Sequence, residues 1–140
     1  MSLTVHNVTD WPAEALDWPN IMAALATYCE PFPEDVTVES VLMDVVRGRQ
    51  TLWIVRDGPK TVLVVLIHVG TIEATGWKRA TVTGMGGERG IEALPLLPVI
   101  EDWARGLGVQ EIEVVGRVGW RRALAPQGYA EKVSILRKRL

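Results

Sequence analysis

Residues 61–69 read TVLVVLIHV, and apolar side chains fall on both parities of the run. A strand with one wet face alternates apolar and polar residues, whereas a strand apolar on both faces must be covered on both sides. The run is too short for a membrane span, which needs about 18–20 apolar residues. It therefore requires a central strand with packed layers above and below it, and the rest of the chain has to supply those layers.

Two helices are expected ahead of it. WPNIMAALATYCE places Pro19 in a first turn and sets Ile21, Leu25 and Tyr28 at helical spacing. TVESVLMDVVRGRQ offers Thr37 as a cap, an apolar stripe of Val38, Val41, Leu42, Val45 and Val46, and Gly48 as a stop. TLWIVRD is a strand ending at the turn DGPK, and KRATVTGM is a third strand after EATGW. A helix over 91–105 follows, with Leu94, Leu97, Ile100, Trp103 and Ala104 facing inward. EIEVVG is a strand, GWRRALAPQ a short helix, and EKVSILRKRL a last strand. The fold class is α/β, in the mixed α+β sense: an antiparallel meander, then a βαβ crossover, with helices on both faces of the sheet. The two strands flanking the crossover helix are parallel, and splayed parallel neighbours leave a cleft at their C-terminal ends.

At 140 residues the chain suits one domain, 1–140, with an N-terminal helical segment over 1–35. Its single cysteine excludes an internal disulfide, and with two histidines it offers no metal-ligand spacing. No secretory signal opens the sequence, so a cytoplasmic location is expected. The net charge of −2 names no polyanionic partner, although residues 1–70 carry nine acids against four bases and residues 71–140 eleven bases against eight acids.

The order of elements, with GGERGIEALPLLPVIEDWARGLGVQEIEVVG as strand end, loop, helix and strand, resembles the GCN5-related N-acetyltransferase (GNAT) fold over residues 36–140. GWRRALAPQGYAEKVSILRKRL is similar to that family's last helix, Gly-aromatic turn (Gly128-Tyr129) and final strand. GRQTLWIV, LPLLPVIEDWARGLGVQEIEV and above all GRVGWRRALAPQGY resemble a tailed-phage branch of the fold, which includes small internal virion proteins of short-tailed phages. The resemblance implies a phage or prophage protein, located in the host cytoplasm or the virion, with phage structural or assembly proteins as partners. It also implies acetyl-CoA as the coenzyme to test, held by a loop after the fourth strand. The residues it points to are Thr83, Met85, Gly86, Gly87, Arg89 and Gly90, with Arg117 at the end of the splayed strand.

The family's loop follows Gln/Arg-x-x-Gly-x-Gly/Ala, so that small residues admit the diphosphate to backbone N–H groups at a helix start. Here the register is Gly87-Glu88-Arg89-Gly90-Ile91-Glu92, and only Gly90 matches. Glu92 brings a carboxylate to the first turn, where it stabilises the helix and repels a diphosphate. The alternative for GMGGERG is a glycine turn that joins strand to helix and binds nothing. Catalytic relatives carry a tyrosine four residues before the Gly-aromatic turn; here that position is Leu124, which cannot transfer a proton.

Glu111 and Glu113 share one face of their strand and are the candidate general bases, against the simpler reading of a solvated face. His68 is expected to be buried, neutral and hydrogen-bonded. Arg117, Arg121 and Arg122 around Trp120 raise nucleic-acid contact, but a solvated amphipathic helix is the preferred reading. Of six tryptophans, Trp53, Trp103 and Trp120 fit core positions, whereas Trp11, Trp18 and Trp77 lie near loops, with Trp77 at a hairpin tip the candidate interface residue. Two functions stand: a phage acetyltransferase-like accessory protein without catalysis, and an acetyl-CoA-dependent N-acyltransferase acting on an amine.

Overall fold

The computed structural model describes residues 2–116 and 118–140. Five strands form one sheet in the order of the chain: β1 (Leu3–Asn7), β2 (Thr51–Asp57), β3 (Lys60–Thr71), β4 (Lys78–Gly87) and β5 (Val109–Val114). The first four run antiparallel to their neighbours, and β5 is parallel to β4. β3 is the central strand that its two-sided apolar run requires, with residues 61–67 all buried.

Helices α1 (Trp18–Cys29) and α2 (Val38–Val46) cover one face of the sheet, where Ile21, Ala24, Leu25 and Val41 pack with Leu52, Ile54, Val64 and Leu66. The other face carries α4 (Leu97–Gly106) and α5 (Val118–Leu124), with Leu97, Ile100, Ala104 and Leu124 against Val55, Val65, Ile67 and Val82. Trp53 meets Trp103 edge-on across this core at 5.1 Å. The alternating residues of β2 and β3 thus feed two separate cores, which is what side chains pointing to opposite faces produce.

Three expectations need correction. The pattern singles out no strand before α1, yet β1 pairs along its whole length with β2, and residues 1–35 are not purely helical. The helix over 91–105 is interrupted: α3 is one turn (Gly90–Ala93), a 3₁₀ turn spans Leu94–Leu96, and only then does α4 begin. Pro95 and Pro98 lack the N–H that a continuous helix would need from them. Last, residues 131–140 form no strand; they run exposed and irregular, tied by Arg137 to Asp35 and by Arg139 to Glu34, each at 2.7 Å. The start of α2 is as expected, since the Thr37 hydroxyl accepts from the Ser40 amide and Ser40 Oγ accepts from the Thr37 amide. Its far end is not, for Val46 is 81% exposed.

Candidate functional site

β4 and β5 pair only as far as Val82, whose carbonyl accepts from the amide of Val115 at 3.0 Å. Beyond that point β4 continues through residues 83–87 along β3 alone, so the two parallel strands part into a V. At the fork β4 carries one extra residue. Leu66 faces Gly84 and Ile67 faces Val82, which leaves Thr83 as a bulge. Its hydroxyl lies 2.5 Å from Gln50 Oε1 and 3.3 Å from the Leu66 carbonyl.

The bulge shifts the alternation by one. Ala80 and Val82 point to the α4 face, as does Met85, whereas Gly84 and Gly86 lie under α1. A Cβ on Gly84 would stand 2.4 Å from the Tyr28 ring, and one on Gly86 would stand 2.5 Å from both the Ala24 carbonyl oxygen and Tyr28 Cβ. Gly87, at φ +121°, presses on the backbone of β3, where a Cβ would meet the Val62 carbonyl oxygen at 2.4 Å. Three of the four glycines in GMGGERG are therefore consumed by close packing against protein. Gly90 alone, at the start of α3, has only the Met85 sulfur near it, at 3.8 Å.

The loop itself is built around Arg89. It adopts the left-handed conformation (φ 64°, ψ 33°), which is uncommon for a residue with a side chain. Its Nη1 donates to Asp57 Oδ2 at 2.7 Å, and its Nε and Nη2 donate to Glu92 Oε2 at 3.0 and 2.9 Å. The bond to Glu92, ahead of that to Asp57, pushes the guanidinium pKa further above its ordinary value. The Glu88 amide is spent on the Val62 carbonyl at 2.8 Å. The amides of Gly90, Ile91 and Glu92 lack intrahelical partners because they open the helix. Beside them stand the carboxylates of Asp57, Glu88 and Glu92 and the engaged guanidinium of Arg89, while Lys60 lines a hollow shared with Gly87 and Glu88.

This arrangement fits a coenzyme diphosphate poorly. At an effective dielectric of about 20, one like-charge contact at ~5 Å costs roughly 3 kcal/mol, or about two decades in affinity. Between the sheet and the helices on the α4 face, the apolar core leaves a cavity of about 20 Å³, lined from every strand by side chains such as Val5, Val55, Leu63, Val82 and Val114. That is room for roughly one water.

The acid–base candidates are dispersed. Glu111 and Glu113 do share one face of β5, but both reach Arg79, at 2.5 and 3.9 Å, and Glu113 accepts from the Thr81 hydroxyl at 3.2 Å. The pair belongs to an exposed charged face. His68 is exposed rather than buried, because β3 runs past the helices covering it before reaching residue 68; its Nδ1 lies 2.8 Å from the Arg49 carbonyl oxygen. Leu124 is buried in the core of the α4 face. The Tyr129 hydroxyl donates to Glu101 at 2.5 Å, and burial first, then this carboxylate, pushes its pKa well up. Arg117 lies outside the described residues. Gly116 is accounted for by Trp120, whose ring would be 2.3 Å from a Cβ there. Trp11 and Trp18 pack against the α1-side core, and Trp77 stays 46% exposed at the β3–β4 tip.

Sequence reasoning missed Asp57 and Gln50. Asp57 reads only as the start of the turn before Gly58, and the pairing of β2 with β3 is what brings it to Arg89. Among the described residues, no helix is long and apolar enough to cross a membrane, and no three His, Cys, Asp or Glu side chains gather as metal ligands would.

No protein-family model matches the chain, and no curated protein matches it in sequence. Solved structures do match in shape. An aminoglycoside acetyltransferase from an uncultured soil metagenomic sample superposes with a TM-score of 0.69 at 14% identity, covering 100% of this chain and 99% of that one. A ribosomal-protein-alanine N-acetyltransferase from Brucella melitensis biovar Abortus 2308 gives 0.66 at 19% identity, with both chains covered completely. A predicted acetyltransferase from Clostridium acetobutylicum, determined with acetyl-CoA, gives 0.63 at 11% identity over 99% of this chain and 96% of that one. At these identities the likeness bears on architecture. The mixed sheet, the fork after Val82 and the helices on both faces are those of the GNAT acetyltransferase fold, and that is the fold of this chain.

Proposed function

We propose that this chain is a phage or prophage protein that keeps the GNAT fold as a scaffold, in virion assembly or an accessory role, and does not transfer acyl groups. The observation that carries the reading is the clamp on Arg89. The one cation of the loop is committed to Asp57 and Glu92, and three of its four glycines are packed against Tyr28, Ala24 and Val62, with Gly90 alone open. Leu124 at the position of the usual proton donor, and a Tyr129 hydroxyl made a weaker acid by burial and then by its bond to Glu101, point the same way. The phage half of the reading rests on GRVGWRRALAPQGY and its resemblance to the tailed-phage branch. Its partners are then phage structural or assembly proteins, and its place is the host cytoplasm or the virion.

Thermal unfolding with acetyl-CoA tests the first half. A ligand at about 100 times its dissociation constant stabilises by about 2.7 kcal/mol, and we expect no shift at millimolar coenzyme. A clear upward shift would sink the scaffold reading. Glu92→Ala examines the cause: it removes the first-turn carboxylate and frees Nε and Nη2 of Arg89, so coenzyme binding should appear or strengthen. Unchanged behaviour would reject the electrostatic account of the loop. The neighbouring genes test the second half, with morphogenesis genes expected alongside and surroundings free of phage genes counting against it.

The fork favours a second reading, an acetyl-CoA-dependent N-acyltransferase acting on an amine. Beyond Val82 the β5-side edge of residues 83–87 is unpaired, which leaves backbone groups for a thioester carbonyl. The same titration decides between the two readings.

A further inference from the structure

A hollow of about 100 Å³ lies between α1, the start of β3 and the end of β4. Asn20, Thr27, Lys60, Thr61, Gly87 and Glu88 line it, and Ala23 and Ala24 give it an apolar wall. At about 30 Å³ per water it holds about three waters, or one molecule of about six heavy atoms. It sits on the β3 side of β4, apart from the fork, which opens on the β5 side. One lining group is left unsatisfied. Thr61 is 2% exposed, and its hydroxyl has no hydrogen-bond partner. A buried hydroxyl without a partner is destabilising, and valine would give the same shape without that cost. Two opposite charges also border the hollow unpaired. Among the described residues, neither Lys60 nor Glu88 forms an ion pair, with each other or with any other residue.

We propose that this hollow binds a small free α-amino acid, about the size of alanine, as its zwitterion. The lining groups fall into two sets. Lys60 Nζ and the Thr61 hydroxyl are donors. Asn20 Nδ2 donates to Asp17 Oδ2 at 2.6 Å, and the Thr27 hydroxyl donates to the Ala23 carbonyl at 3.0 Å. Asn20 Oδ1 and Thr27 Oγ1 are thereby left as acceptors beside the Glu88 carboxylate. An α-carboxylate uses the first set, and an α-ammonium, with three N–H groups, uses the second. The surrounding charge is balanced as well. Lys60 and Arg56, which is opposite Thr61 in the β2–β3 register, stand against Glu88 and Asp17, which accepts from the Thr61 amide at 3.3 Å. A lone anion is opposed by Glu88 and a lone cation by Lys60, whereas a molecule carrying both charges satisfies each. Ala23 and Ala24 suit a methyl group, and the volume suits no more than a short side chain.

Alanine, titrated into the isotope-labelled full chain, tests the site by nuclear magnetic resonance. The amides of Thr61, Val62 and Gly87 should shift together and saturate with a dissociation constant of about 1 mM or tighter. Acetate and methylammonium, each with one half of the charge pair, should bind at least about tenfold more weakly. Lys60→Gln and Glu88→Gln should each weaken alanine at least about tenfold, and because both side chains are exposed, circular dichroism should report an intact fold. Thr61→Val separates a hydroxyl that holds a ligand from one that serves the fold. It keeps the shape and removes the unpaired group, so the unliganded protein should unfold at the same or a higher urea concentration while alanine binding falls. Amides that do not respond to alanine up to about 50 mM overturn the proposal. Acetate binding as tightly as alanine overturns it too, since the hollow is then a plain anion site. So does a Thr61→Val chain that binds alanine as before. Acetyl-CoA is absent from every arm, so the result stands apart from the fate of the scaffold reading.

Discussion

The ring of Tyr28 occupies the space that a side chain at residue 84 would need, and its Cβ, with the Ala24 carbonyl, occupies the space at residue 86. Gly86→Ala should therefore push α1 off β4 and cost about 1–3 kcal/mol, measured as a lower urea midpoint with an unchanged slope. Tyr28→Ala should restore much of the loss in a Gly84→Ala background, since the contact is with the ring; additive losses would count against this packing account. Tyr129 supports a prediction in pH. Its folded pKa is raised by burial and by Glu101, so the folded state holds its proton after the unfolded chain, with a pKa of about 10, has released one. That contribution is complete below about pH 10 and is lost as pH climbs toward the folded value. Tyr129→Phe should flatten the alkaline fall in stability, although Tyr28, raised chiefly by its own burial, leaves part of the slope.

At the level of elements, the start of α2 was legible because a threonine before an apolar stripe has few other uses. Thr37→Ala removes the side-chain acceptor for the Ser40 amide and should cost about 1 kcal/mol, readable by chemical denaturation. The succession of β2, β3 and β4 was legible from strand-length runs and from the turn at Gly58. β1 was not, since LTVHN is five residues long and acquires its meaning only from the register it shares with β2. The glycine loop was half legible. The sequence shows that Gly84, Gly86 and Gly87 permit close approach, but whether a phosphate, a ring or a strand approaches depends on where α1 lands. Arg89 illustrates the same limit, because its partner Asp57 is 32 residues away.

On the scale of the whole molecule, the two-sided apolar run of residues 61–69 carried most of the architecture, as it forced helices onto both faces. It could not say where the last ten residues go. EKVSILRKRL has the pattern of a strand, but a strand needs a partner as well as a pattern, and here exposed ion pairs to Glu34 and Asp35 hold the tail elsewhere. Such pairs contribute about 0–1 kcal/mol each, and the tail buries little. A chain ending at Ala130 should therefore unfold within about 1–2 kcal/mol of the full chain. A loss of several kcal/mol in a denaturant titration would mean that the tail is an integral strand of the fold.

The single surplus residue at Thr83 decides which way the far half of its strand looks. Removing it would rotate everything after it by half a turn, thrusting the methionine at 85 beneath the first helix and turning bare glycines toward the fourth. That stretch therefore cannot change in length, and a one-codon deletion there should abolish folding.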